Sequence, residues 1–272
     1  MKKKARILIK KCNLFHAEKF SLLSTGNSLI LLFYFSLFLR FFVRLMDPCI
    51  SRDGCLYIQL AQIWAESENG YLETLDYNFV GSPPLLIFIM ASLIHCGISA
   101  KDSGIALNII AGAFCPCLIY GISKEILKGN KKIALSAAIL TSVNPSMISL
   151  SIEPQRDMLY LFFCACLCLL ILKALHRTNL YCWCPAGIIF TLSFFTRYET
   201  FEFLFVILFA LIVFSVKKKI SLKKAFVYGT VFLASSIIAG GALLYLIGYP
   251  DSVWNQYKLF IKGKVEHYLG ND

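Results

Sequence analysis

The sequence predicts an all-α protein that crosses a membrane several times, and two observations lead to this prediction. The 272 residues are 58% hydrophobic and only 16% charged, with a mean hydropathy of +0.68. Soluble domains are about half apolar and about a quarter charged, so this composition is typical of a membrane protein. Apolar runs of about the length that a membrane-spanning helix needs recur along the chain, without the alternation typical of strands.

These apolar runs predict about seven spanning helices, at 27–46, 103–123, 133–150, 158–175, 181–196, 200–216 and 225–247. The first run follows a basic N-terminus without a small-residue cleavage site, so we expect an uncleaved span. A further run at 83–96 has 14 residues, which as a helix cover about 21 Å, too little to cross comfortably. Its two prolines suit a helix start, and we expect an interfacial helix at the outer surface.

The distribution of charge predicts the orientation of the spans. Four loops contain 18 of the 27 Lys and Arg and two of the 16 acids, at 1–24, 124–132, 173–177 and 217–224. Membrane proteins concentrate Lys and Arg in their cytoplasmic loops. All four loops lie in the cytoplasm, and the acidic segments outside, only if 83–96 does not cross and 181–216 crosses twice.

This orientation divides the chain into three parts in a plasma or inner membrane. They are a basic cytoplasmic N-terminus at 1–26, a membrane domain at 27–248 with its first outer loop at 47–102, and an extracytoplasmic tail at 249–272. Because the lysines cluster between apolar runs, the net charge of +11 fits membrane loops better than nucleic-acid binding.

The eleven cysteines do not predict a metal site. Most lie inside apolar runs as C-x-C pairs, whose side chains point about 200° apart on a helix, so we interpret them as buried thiols. Cys49, Cys55 and Cys96 lie in outer segments that could meet an oxidising compartment, and no pairing is assigned.

Three polar clusters lie at the outer ends of predicted spans, in the stretches SRDGCLY, SIEPQRDMLY and TRYETFE. Polar groups at such positions are costly in lipid and indicate a function. An arginine suits a phosphate, and an aspartate suits removal of a proton from a hydroxyl. The candidate residues are Asp53, Tyr57, Glu153, Arg156, Asp157, Arg197 and Glu199.

From about Arg44 to Phe205, the order of these motifs resembles the GT-C membrane glycosyltransferases, in particular the protein-mannosyltransferase and aminoarabinose-transferase-like group. The shared features are an acid with a tyrosine four residues later, a Pro-Pro interfacial helix and a second acid that opens a later span. The resemblance implies sugar transfer from a polyprenyl-phosphate carrier to a hydroxyl of a lipid, glycan or protein, outside the cytoplasm.

The resemblance also implies roles for the candidate residues. Asp53 would be the catalytic base and Asp157 the second loop acid of the catalytic site. From the residues themselves, Gly54 is expected to let the loop approach the reacting centre closely, and Tyr57, one helical turn later, to orient Asp53. The substrate-binding residues would be Arg197 near the carrier phosphate together with Arg156, Glu153 and Glu199. No organic cofactor is expected, and a divalent cation stays open.

The sequence departs from this family in two ways. Relatives often have a lysine before the proline of the interfacial helix, where this chain has Ser82, which leaves the phosphate contact to Arg156 or Arg197. Relatives are also usually longer, so we expect a member shortened at its C-terminus.

Alternative interpretations stay open from the sequence. Asp53 is equally readable as a helix N-cap, and Arg156 and Asp157 as the solvated boundary of a span. The protein could also be a transporter or flippase, or a non-catalytic scaffold. The middles of the second to seventh spans carry no charge, which disfavours transport.

The predicted orientation can be tested by labelling. We expect Cys55 to react with an impermeant thiol reagent added outside intact cells, after reduction of any disulfide. A cysteine introduced at Lys219 should react only after the membrane is permeabilised. External labelling at position 219 would refute the seven-span orientation.

Overall fold

The computed structural model describes residues 25–67, 83–127 and 130–247, and all regular structure within these ranges is helical. The helices in chain order are α1 Thr25–Met46, α2 Arg52–Glu66, α3 Leu85–His95, α4 Ala100–Ile126, α5 Lys131–Ser142, α6 Pro145–Ile152, α7 Arg156–Arg177, α8 Trp183–Phe194, α9 Phe201–Val216 and α10 Leu222–Ile247. Short 3-10 turns precede α8 and α9. The N-terminal segment, Ser82 and the tail at 249–272 lie outside the described residues.

All seven apolar segments form helices, and most are long enough to cross a membrane. Within the described ranges, α1, α4, α7, α10 and α9 with its preceding turn are long and apolar enough. The pair α5 and α6 adds a sixth if it counts as one broken span. The helix α8 has 12 residues, so a count of seven spans stays a prediction, as does the interfacial position of α3.

The segment predicted as one span at 133–150 is divided by a bend of 52° between α5 and α6. Pro145 is the first residue of α6, where its missing N–H costs no hydrogen bond, and its ring disfavours a helical conformation of the preceding residue. Asn144 caps the new helix because its side-chain oxygen accepts from the backbone N–H of Met147 at 3.1 Å.

A fully buried arginine of α1, Arg40, lies at this bend. Its Nε donates to Ser151 Oγ at 3.0 Å, and its Nη1 donates to the backbone carbonyls of Ser36 and Ser142 at 3.1 and 3.4 Å. Its Nη2 has no hydrogen-bond partner among the described residues. A buried charge is stable only when it is hydrogen-bonded or paired. Because the groups that accept from Arg40 include Ser142 of α5 and Ser151 of α6, the arginine holds α1 against both halves of the broken span.

The centre of the bundle is α4, which contacts α1, α5, α6 and α7. Small residues allow this close packing. A Cβ on Gly112 would lie 2.1 Å from Ser151 Oγ and 2.7 Å from Arg40 Nε, so the glycine leaves the room that the arginine and the serine occupy.

Two large hydrophobic clusters stabilise the bundle. In the first, α2 and α3 pack together, and Leu60, Leu86 and Met90 lie in one cluster with Leu159 of α7 and Leu243 of α10. In the second, Trp183 of α8 packs with residues of α7, α9 and α10. By contrast, large apolar side chains cover the outer faces of α1, α9 and α10, as expected for surfaces in contact with lipid.

The closest helix contact in the second half is between α8 and α10. A Cβ on Gly187 would lie 2.4 Å from the backbone oxygen of Phe232 and 2.1 Å from Ser235 Oγ. Backbone cannot move aside as a flexible side chain can, so α8 and α10 can pack this closely only with glycine at this position.

We expect Gly187→Ala to separate α8 from α10 and to lower the free energy of unfolding by about 1–3 kcal/mol, the usual cost of overpacking. Gly241→Ala is the matched control, because no atom lies within 4 Å of its Cβ position and alanine favours a helix. Thermal unfolding in detergent, followed by tryptophan fluorescence, measures both. Equal stability of the two variants would contradict the packing argument.

Candidate functional site

The first polar cluster lies at the start of α2, and the N-cap is Ser51. Its Oγ accepts from the backbone N–H of Gly54 at 3.1 Å. The interpretation of Asp53 as the N-cap is therefore wrong. Asp53 lies in the first turn with an exposed side chain, where the partial positive charge of the helix N-terminus favours its carboxylate.

The second cluster holds the first one in position. Glu153 Oε2 accepts from Ser51 N at 3.0 Å and from Ser51 Oγ at 2.9 Å. Gln155 Nε2 donates to the same hydroxyl at 2.6 Å. Hydrogen bonds to an ionised carboxylate are stronger than neutral ones, so Glu153 fixes the N-terminus of α2 and the turn that carries Asp53.

The glycine beside Asp53 is required by packing. A Cβ on Gly54 would lie 2.8 Å from Ile50 Cγ2, 3.0 Å from Pro154 Cγ and 3.1 Å from Glu153 Oε2. The sequence predicted that Gly54 lets its loop approach the reacting centre closely. In the structure, the groups that approach Gly54 are the side chains of Ile50, Pro154 and Glu153.

A residue that sequence reasoning missed, Asn108 of α4, holds the connection between α6 and α7. Its Nδ2 donates to the backbone oxygens of Glu153 at 2.5 Å and Gln155 at 2.6 Å. The side chain is fully buried, and its Oδ1 has no partner among the described residues. An amide inside an apolar span was the available signal, because buried polar groups in membranes need partners.

The second and third clusters meet, as the sequence predicted. Arg197 Nη1 donates to Asp157 Oδ1 at 2.5 Å, and its Nη2 donates to Glu199 Oε1 at 3.3 Å. Burial alone would lower the pKa of Arg197, but the hydrogen bond and charge of Glu199 and the charge of Asp157 outweigh it. The pKa of Arg197 is therefore raised, and the guanidinium is positively charged.

Further contacts fix Arg197 in place. Its Cζ lies 5.3 Å from the centre of the Tyr160 ring, a distance at which a cation is attracted to the face of an aromatic ring. Its backbone oxygen accepts from Thr200 Oγ1 at 2.8 Å, and that hydroxyl lies 3.0 Å from Ser193 Oγ. The guanidinium therefore lies between α7 and the 3-10 turn before α9, while the backbone of Arg197 is held near the end of α8.

The other arginine, Arg156, is the first residue of α7 and is partly buried. In contrast to Arg197, it forms no ion pair with any residue in the described part of the chain. It lies close enough to Tyr198 and Glu199 for its charge to act on both. The site thus combines one arginine neutralised by carboxylates with one whose charge is not paired.

The structure buries Tyr57 in the first hydrophobic cluster, so its predicted role in orienting Asp53 stays a prediction. Cys49, Cys55 and Cys96 are exposed free thiols. In the ranges that the structure describes, no three His, Cys, Asp or Glu residues are grouped as metal ligands would be, and the question of a divalent cation stays open.

Comparison with known proteins gives a family match. The sequence model of the dolichyl-phosphate-mannose-protein mannosyltransferase family matches residues 82–241. The match covers Glu153, Arg156, Asp157, Arg197 and Glu199, and it begins after Asp53 and Tyr57. No curated protein sequence matches the chain.

We expect Glu153→Ala to loosen the turn that carries Asp53, because Ser51 loses two hydrogen bonds to a charged acceptor. Such bonds contribute about 1.5–3 kcal/mol, so amide exchange in residues 51–54 should accelerate roughly 10- to 100-fold. Hydrogen–deuterium exchange with mass spectrometry measures this.

Glu199→Ala is the control, because Glu199 pairs with Arg197 and makes no contact with Ser51. Unchanged exchange at residues 51–54 in Glu153→Ala would show that another contact holds this turn.

Proposed function

The chain belongs to the dolichyl-phosphate-mannose-protein mannosyltransferase family, and from this premise we propose that it transfers a sugar from a polyprenyl-phosphate donor to a hydroxyl group. The acceptor is a lipid, a glycan or a protein. The reaction takes place at the extracytoplasmic face of the plasma or inner membrane, and the distribution of Lys and Arg among the loops supports this side.

The observation that carries this proposal is the junction between α6 and α7. Glu153 and Gln155 bind the turn next to Asp53, and the helix that follows begins with Arg156 and Asp157. The five residues from Glu153 to Asp157 therefore contact the turn that carries the exposed Asp53 carboxylate at one end, and contain or bind the two arginines at the other end. Sugar transfer from a phosphate carrier needs both kinds of group, a base for the hydroxyl and cations for the phosphate.

In the proposed step, the Asp53 carboxylate accepts the proton of the acceptor hydroxyl while the hydroxyl oxygen attacks the anomeric carbon. The bond between this carbon and the phosphate oxygen breaks, and the polyprenyl phosphate leaves with the bonding electron pair. Attack opposite the leaving group inverts the anomeric centre. A neutral hydroxyl is a weak nucleophile, so the base is expected to accelerate transfer about 10²- to 10⁴-fold.

The two arginines are expected to have different roles at the carrier phosphate, because only one of them is paired with carboxylates. Arg197 is already bonded to Asp157 and Glu199, whereas Arg156 has no described carboxylate partner. We assign the first contact with the carrier phosphate to Arg156. Arg197, held by its carboxylates, stabilises the charge that grows on the leaving group without needing to move.

We expect Asp53→Asn to abolish nearly all transfer, because the amide keeps the size of the side chain but cannot accept the proton. The measurement is sugar transfer from polyprenyl-phosphate-mannose and related donors by the purified wild-type and variant proteins in proteoliposomes. The loss should be about 100-fold or more.

Glu66→Gln is the matched control, an exposed acid at the other end of the same helix, and should keep wild-type transfer. Equal amounts of both variants in the membrane exclude a folding defect. Wild-type rates in Asp53→Asn would remove Asp53 from the mechanism and leave it as a residue of the first helical turn.

A further inference from the structure

A groove lies on the side of α4 opposite the candidate site, between α4 and the C-terminal end of α1. It encloses about 510 Å³. The groove is lined by Phe41 and Leu45 on α1, and by Ile105 and Ala106 on α4. Gly104 points elsewhere, against Met90 and Pro154, so α4 separates the groove from the junction that carries the site.

The dimensions of the groove fit one leaflet of a membrane. Its lining on α4 runs from Lys101 to Ile110, which at 1.5 Å per residue is about 14 Å. Half of the hydrocarbon core is about 15 Å. Both helices are candidate spans. They pack in antiparallel orientation, since the end of α1 lies beside the start of α4 in the groove, and Phe33 earlier in α1 contacts Phe114 later in α4. The groove therefore begins at the membrane surface and ends near the middle of the bilayer.

The polar end of the groove carries two cations. Arg44 donates from Nη1 to the backbone oxygens of Asp47 and Cys49 at 3.1 and 2.8 Å, and from Nη2 to that of Pro48 at 3.1 Å. These bonds fix the guanidinium in position without neutralising it. Lys101 is exposed in the first turn of α4. Neither cation forms an ion pair with a residue that the structure describes.

Two acids lie near these cations, and both carboxylates are hydrogen-bonded to neighbours. The Oδ1 of Asp47, in the loop that Arg44 binds, accepts from the backbone N–H of Cys49 at 3.2 Å, and Asp47 does not line the groove. The Oδ2 of Asp102 accepts from Ser99 Oγ at 2.6 Å, and the backbone N–H of Asp102 donates back to the same hydroxyl at 3.1 Å. The residues that line the groove thus have a net charge of +1, from Arg44, Lys101 and Asp102, at one end of an apolar channel. This arrangement is complementary to a lipid with a negatively charged headgroup.

We propose that this groove binds an anionic glycerophospholipid, with its phosphate between Arg44 and Lys101 and an acyl chain along Phe41, Ile105 and Ile109. The apolar wall favours the acyl chain over water, and the net positive charge favours an anionic headgroup over a zwitterionic one. The lipid lies between α1 and α4 and stabilises their contact. This site is separate from the sugar-transfer site and does not depend on the proposed reaction.

The test uses the purified full chain in detergent, with phosphatidylglycerol, phosphatidylcholine or soluble glycerol 3-phosphate added. Thermal unfolding measures stabilisation, and native mass spectrometry counts bound lipids. We expect phosphatidylglycerol to stabilise the protein more than phosphatidylcholine and to remain bound.

Lys101→Gln should weaken the phosphatidylglycerol response about fivefold, since a basic residue near an anionic lipid contributes about that factor in affinity. Ala106→Trp, which fills the groove from its exposed side, should abolish the response.

Two matched controls keep the test specific. Lys131→Gln removes an exposed lysine from the first turn of α5, and Leu140→Trp puts an indole on an exposed apolar position of the same helix. Both should respond to phosphatidylglycerol as the wild type does. Equal stabilisation by the two phospholipids, or a wild-type response in Lys101→Gln and Ala106→Trp, would overturn the proposal. Equal stabilisation by glycerol 3-phosphate would replace the lipid site by a site for free phosphate esters.

Discussion

The hydrogen bonds around the connection between α6 and α7 are the interaction on which the candidate site depends. This connection has no regular structure of its own, yet its backbone is held by Asn108 and its Glu153 side chain holds the N-cap of α2. Three separate parts of the sequence meet there. In an apolar surrounding such bonds compete with little water, so a few polar side chains fix the relative positions of α2, α4 and α7.

The same connection explains why the two halves of the site differ chemically. On one side, Glu153 is used for structure and leaves Asp53 exposed at the start of a helix. On the other side, Asp157 and Glu199 both bind Arg197, whereas Arg156 has no carboxylate partner among the described residues. The carboxylates of Glu153, Asp157 and Glu199 thus hold neighbouring groups in place, whereas the carboxylate of Asp53 is exposed.

The apolar runs predicted the helices well, because a segment that lies in lipid or in the bundle core must consist mainly of apolar residues, which the sequence shows directly. The run at 133–150 was predicted as one span because its length and hydropathy suit a single crossing, although its Asn144-Pro145 pair is a sequence signal for a helix boundary. The convergence of the second and third polar clusters followed from the predicted orientation of the spans, which puts both clusters on the same side of the membrane. The roles of Asn108 and Glu153 were not, because they depend on contacts between residues about 45 and 100 positions apart, which a single sequence does not encode locally.

The buried Arg40 also has a consequence for how the protein is synthesised. A charged residue at the centre of an isolated spanning helix disfavours its insertion by about 2.5–3.5 kcal/mol, and the cost falls toward the ends. Arg40 is the fourteenth of the 20 residues from Asn27 to Met46, between the centre and the end of the span. Two of the groups that accept its hydrogen bonds, Ser142 and Ser151, leave the ribosome about 100 residues later. Until then, α1 must keep its guanidinium near the headgroups, and it reaches its final depth only when the broken span arrives. Assembly in the membrane is therefore ordered, and a nascent chain that stalls before α6 leaves Arg40 without its serine partner on α6.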